Sequence, residues 1–184
     1  MSSKINICCV ISEHYDSLRD PESGKYSLPD MITFVVIPLL IAALSLYSDI
    51  KLTNELIGLL VNFGSIITAL LLSVLVLVYD QRNKIDDKVS SDKSNNALLV
   101  LKQTVLSQLF SNICYATIIS VSLVATCFLE QMVRPIALDI TTNGSLVRII
   151  HGWVLSPLVF FLIAHVILTL LMIIKRMHTL LTAK

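Results

Sequence analysis

Residues 56–78 read LIGLLVNFGSIITALLLSVLVLV, a run without Asp, Glu, Lys or Arg. A bilayer's hydrocarbon core is roughly 30 Å thick, so a helix crossing it needs about 20 mostly apolar residues at 1.5 Å each. This run meets that length, and so do residues 105–129 and 153–174. Residues 31–47 form a shorter apolar run, which Ser48 to Ile50 can extend toward the headgroups. The reading is an all-α, polytopic membrane protein with four transmembrane helices, at about 31–50, 56–79, 105–129 and 153–174. Residues 1–30 and 175–184 are tails, and residues 80–104 join spans 2 and 3.

Composition agrees. The 184-residue chain is 55% hydrophobic and 15% charged, with a mean hydropathy of +0.80. The tails and loops are too short for a soluble enzyme domain of about 100 residues. The net charge of +1 favours neither nucleic acid nor acidic substrates. Its distribution says more. Lys4, Arg19 and Lys25 precede the spans. Arg82, Lys84, Lys88, Lys93 and Lys102 lie between spans 2 and 3, and Lys175, Arg176 and Lys184 follow span 4. The opposite side has only Lys51, Arg134 and Arg148. Cations accumulate on the cytoplasmic side, so both tails and the central loop are expected there. Residues 5–11 are apolar but lack a cleavage site, so the N-terminus is expected to be retained. They suggest a short strand, an interfacial anchor or a loosely docked tail segment.

Ile85 and Val89 recur at helical spacing, and Ala97, Leu98, Leu101, Val105 and Leu109 continue that pattern into span 3. Spans 2 and 3 are therefore expected to project as a cytoplasmic helical hairpin turning near Ser90 to Asn96, with Asp92 or Ser94 as a cap. Arg82, Lys84, Lys88 and Lys93 are its candidate partner-docking residues; the alternative is a solvated loop. Pro38 is expected to kink span 1, and Asp30 to cap it. Residues 130–152 form the longest outer loop, in which Asn143, Gly144 and Ser145 read as a turn or a glycosylation acceptor.

Inside the membrane, Gly58, Asn62, Ser65, Ala69 and Ser73 share one face of span 2, and Gln108, Asn112, Ala116 and Ser120 share one face of span 3. Small residues let backbones approach, and amides hydrogen-bond between helices. The two stripes are candidates for packing, within a protomer or between copies, or for lining a pore. His165 sits mid-span in span 4. It is either a proton-handling group or a neutral imidazole bonded to a neighbouring Ser, Asn or Gln. Cys8 and Cys9 are candidates for acylation, with free thiols the alternative. No metal-ligand cluster, phosphate loop or nucleophile motif is present, so no catalytic residue, metal or cofactor is expected.

Four helices, cytoplasmic termini, a cytoplasmic hairpin and an empty motif inventory resemble the small inner-membrane subunits of bacterial phage-defence systems, such as the Kiwa membrane subunit. The resemblance covers residues 31–174. It implies membrane subunits that associate with one another and recruit a cytoplasmic soluble protein. The expected function is a non-catalytic, homo-oligomeric anchoring subunit that binds no nucleic acid directly. A small oligomeric channel or membrane-perturbing effector is the alternative.

Overall fold

The computed structural model describes residues 7–17, 32–48, 52–91, 97–138 and 150–182. Every described element is helical. Helix α1 spans Ile7–Asp16, so the strand suggested for the N-terminal apolar stretch is corrected to a helix. Val10, His14 and Ser17 stand four and three residues apart, and that spacing gives α1 one inward face. The Ser17 N–H closes the helix on the Glu13 and His14 carbonyls, at 3.0 and 3.1 Å.

The first apolar run forms a π-helical turn, Ile32–Val36, followed by α2, Ile37–Tyr47. Pro38 stands in the first turn of α2. Helix α3, Asn54–Ser91, starts where the Thr53 hydroxyl accepts the Leu56 N–H at 3.2 Å, a side-chain cap. Helix α4 is Ala97–Leu138. A second π turn, His151–Leu155, leads into α5, Ser156–Thr182. Helices α3, α4 and α5 are each long and apolar enough to cross a membrane, and Ile32–Tyr47 is a shorter apolar helix. At 1.5 Å per residue, the 38 residues of α3 and 42 of α4 reach about 57 and 63 Å.

Helix α4 runs on through Pro135 to Leu138, so Glu130 belongs to a helix and not to the outer loop. Of the expected hairpin turn near Ser90 to Asn96, Ser90 and Ser91 belong to α3, and residues 92–96 lie outside the described residues. So do Asp30, Lys93 and the Asn143 to Ser145 turn.

Chain contacts form two compact units. The first contains α1, α3 from Ala69, α4 to Thr117 and α5 from Thr169. Leu71, Val78, Leu106, Leu109, Ile113 and Tyr115 are buried in it. The second contains α2, α3 to Thr68, α4 from Ile118 and α5 to Leu168, with Ile57, Leu123, Cys127, Leu155 and Val159 buried. Within the second unit Gly64 is the close helix approach: a Cβ there would lie 2.7 Å from Val124 Cγ2. Gly58, the glycine singled out by the polar stripe, is exposed and a Cβ there meets nothing within 4 Å.

Candidate functional site

In the first unit, α1 docks through polar groups. His14 is fully buried and stacks on Tyr115, with ring centroids 3.8 Å apart and planes 9° from parallel. Its Nδ1 lies 2.9 Å from Asn112 Oδ1. The Ser17 hydroxyl meets the His14 carbonyl at 2.6 Å and Asn112 Oδ1 at 3.0 Å. Arg176 of α5 donates to the Ser17 carbonyl at 2.7 Å. Ser111 donates to Glu13 Oε2 at 2.9 Å. The dock thus joins α1 to α4 and to the last turns of α5. Each of these pairs fixes the seat of α1 more narrowly than apolar contact does.

Beside this dock is a cavity of about 420 Å³. Glu13, Asp16 and Ser17 of α1 form one wall, Arg82 of α3 contributes a second, and Ser107, Gln108, Phe110 and Ser111 of α4 a third. The Arg82 guanidinium lies 5.6 Å from the Phe110 ring centroid and only 3.9 Å from Asp86 Oδ2. Tyr79 meets the same phenyl ring at 6.3 Å. On the exposed side of α1, the Cys9 thiol donates to Glu13 Oε1 at 3.6 Å. That hydrogen bond and the carboxylate's charge push the thiol's pKa up, which works against thiolate chemistry at Cys9.

The structure separates the two stripes. Asn112, Ala116 and Ser120 are buried, and Gln108 is half-buried. Gly58, Asn62, Ser65, Ala69 and Ser73 are all exposed. The exposed α3 stripe has no seat against the α4 stripe within the protomer, which leaves packing between copies and lining a pore among the roles expected for it. The residues that meet Asn112 are His14 and Ser17 of α1, from a segment whose inward face is too short to stand out in the sequence.

The docking candidates are partly engaged. Lys84 pairs with Asp80 at 2.7 Å on an exposed helix face, an i,i+4 pair of about 0.3–0.5 kcal/mol that a partner can replace. Lys88 is exposed, and Arg82 faces the cavity.

In the second unit, His165 is buried between Phe161, stacked at 5.6 Å, and Phe34, edge-on at 6.2 Å. It also hydrogen-bonds to the Phe34 backbone. The chemistry follows from Pro38. Proline has no N–H, so the Phe34 carbonyl four residues earlier loses its α-helical donor. His165 supplies the replacement from α5, as neighbouring helices do for prolines in membranes. The partner is a main-chain carbonyl and not the Ser, Asn or Gln side chain expected for a neutral imidazole.

A second buried group is not singled out by the sequence. Glu130 is fully buried, and its Oε1 lies 2.9 Å from His151 Nε2 and 3.4 Å from the Ser156 hydroxyl. One turn on, Arg134 donates to Asn54 Oδ1 at 2.8 Å. Glu130 closes an apolar run and therefore reads as a flank, and only the helical continuation of α4 reveals its burial. Among the described residues no group of three or more His, Cys, Asp or Glu is placed to hold a metal. No protein-family model, curated protein or solved structure matches this chain.

Proposed function

We propose that this chain is a four-span, homo-oligomeric, non-catalytic membrane subunit whose cytoplasmic end holds a soluble protein partner. The observation that carries the reading is the dock itself. Helix α1, the charged ends of α3 and α4, and Arg176 near the end of α5 all belong to one compact unit. Finding α1 and the last turns of α5 in the unit that holds those ends of α3 and α4 supports an even number of crossings, with the short helix Ile32–Tyr47 as the fourth. The cation-rich composition of that end assigns it to the cytoplasm. Helices of about 57 and 63 Å outlast a hydrocarbon core of roughly 30 Å, which leaves a stalk carrying Lys84 and Lys88 for a partner.

Self-association rests on α3. Only 17% of its apolar window is buried, against 44% for α4 and 50% for α5, so α3 offers most surface to lipid or to another copy. Asn62 lies on that surface, where acyl chains offer an amide no hydrogen bond. A pore lined by Asn62, Ser65, Gln108, Asn112 and His165 has less support, because Asn112 and His165 are held by α1 and by Phe34. The resemblance to phage-defence subunits supports a role in antiviral defence, which plating efficiency on a host carrying or lacking the gene will test.

Affinity capture of the intact protein in mild detergent tests the anchor reading. A soluble protein should co-purify in fixed stoichiometry, and Lys84→Glu with Lys88→Glu should release it while the chain stays in the membrane. Ion conductance of the pure protein in liposomes, with no soluble companion captured, would sink the reading.

A further inference from the structure

The cavity beside α1 has a charge pattern that the anchoring role does not use. Its walls carry opposite signs: Glu13 and Asp16 on α1, Arg82 on α3. A purely anionic ligand would meet two carboxylates, and a purely cationic one would meet the guanidinium. A ligand with both charges complements both walls. Arg82 is poised for this. Its guanidinium lies near the Phe110 ring, and its ion pair with Asp86 is long at 3.9 Å, so its N–H fork can turn to a phosphate. Ser107 and Gln108 add a hydroxyl and an amide to the wall between them. The volume, about 420 Å³, falls in the roughly 300–1,000 Å³ range of small-ligand sites.

The position of the cavity along the helices selects the source of such a ligand. The apolar run of α3 ends at Val78, and Tyr79, Asp80 and Arg82 follow. Tyr79 contacts Phe110 of the cavity wall, and the Tyr15 and Tyr115 ring centroids lie 6.5 Å apart beside the dock. Rings of this kind mark the headgroup level of a membrane helix. We propose that the cavity binds the ammonium–phosphate headgroup of a phosphatidylethanolamine-type lipid, with the ammonium toward Glu13 and Asp16 and the phosphate toward Arg82. The proposal rests on the membrane-spanning reading above. It also gives α1 a role in the membrane. Its carboxylates make half of the site, so a bound lipid pins the N-terminal helix to the bilayer surface.

The test uses the full-length protein in nanodiscs that contain phosphatidylethanolamine, phosphatidylglycerol or phosphatidylcholine, followed by native mass spectrometry of retained lipid and thermal melting. Phosphatidylethanolamine should be retained several-fold over the other two, since one lacks the ammonium and the other has no ammonium N–H. Arg82→Gln and Asp16→Asn should each erase that preference, and Arg82→Lys should keep part of it. Gln108→Leu, an uncharged change on the remaining wall, guards against misfolding of the charge variants: it should weaken retention with the helical signal intact. Equal retention of all three lipids by the wild type, or an unchanged preference in Arg82→Gln, would overturn the site. Soluble phosphoethanolamine raising the melting temperature as much as the lipid does would overturn the lipid source. Failure to enter any nanodisc would overturn the membrane reading itself, whereas entry with no lipid preference removes only this site.

Discussion

Asn62 of α3 and Asn112 of α4 have the same chemistry and opposite surroundings. Each stands in an apolar run, four residues from a small or polar neighbour on its own face. Asn112 is fully buried, with His14 and Ser17 on its carbonyl oxygen. Asn62 is exposed, and so is the whole stripe around it. An amide in hydrocarbon must find a partner, and the partner can come from the same chain or from outside it. The carbonyl of Asn112 finds its partners within the protomer, and the stripe on α3 is left open to the surroundings.

The largest expected effect is at Asn112. Asn112→Leu removes the acceptor that faces a buried ring nitrogen, and losing such a partner costs roughly 1–3 kcal/mol, while the Ser17 hydroxyl keeps the His14 carbonyl. Helix α1 should lift from α4, so hydrogen exchange over residues 7–17 should accelerate strongly while the exchange of α3 to α5 holds. Adding His14→Phe keeps a ring against Tyr115 and removes the ring nitrogen that lost Asn112. That double variant should recover most of the protection. If Asn112→Leu leaves exchange in α1 unchanged, the polar dock is not what seats the helix.

His165 comes next. His165→Leu strips the Phe34 carbonyl of its donor and should destabilise the protein by about 1–3 kcal/mol. Pro38→Ala restores an N–H to α2 and lets the helix satisfy that carbonyl itself. The cost of His165→Leu should therefore shrink in the Pro38→Ala background, read as a coupling energy in a double-mutant cycle of thermal or denaturant unfolding. Equal costs in both backgrounds would break the link between proline and histidine.

The histidine also shows what a sequence can and cannot display. Apolar runs long enough to cross a bilayer are visible because length and absence of charge are local properties, and α3, α4 and α5 follow from them directly. The helical continuation past Val78 is legible from the spacing of Ile85 and Val89. Partnership is not local. His165 and Pro38 are each conspicuous, yet nothing in either neighbourhood says that one repairs the other. His14 and Glu130 escape notice for the converse reason, since a lone ionisable residue in a tail or at the end of a run reads as solvated until a distant element covers it. Gly64 and Gly58 make the same point for small residues: both sit in one apolar run, and only Gly64 meets a neighbouring helix.

The smallest effect belongs to the open side. Interhelical amide bonds in membranes contribute about 1 kcal/mol or less, so Asn62→Leu should leave the fold and the α1 dock untouched. What should change is association. In a two-fold arrangement each Asn62 meets its own copy, and one amide offers both the donor and the acceptor that the other needs. A loss of about 1 kcal/mol per contact weakens such a dimer several-fold, enough to shift the oligomer distribution in a detergent dilution series. Asn62→Gln, which keeps the amide on a longer stem, should lose less. Should Asn62→Leu dissociate no more readily than wild type, the exposed stripe faces lipid alone, and Asn62 must then bond to groups nearer the headgroups. Should it dissociate while Asn112→Leu does not, the division between the two asparagines holds: one seats the chain's own first helix, and the other seats a second chain.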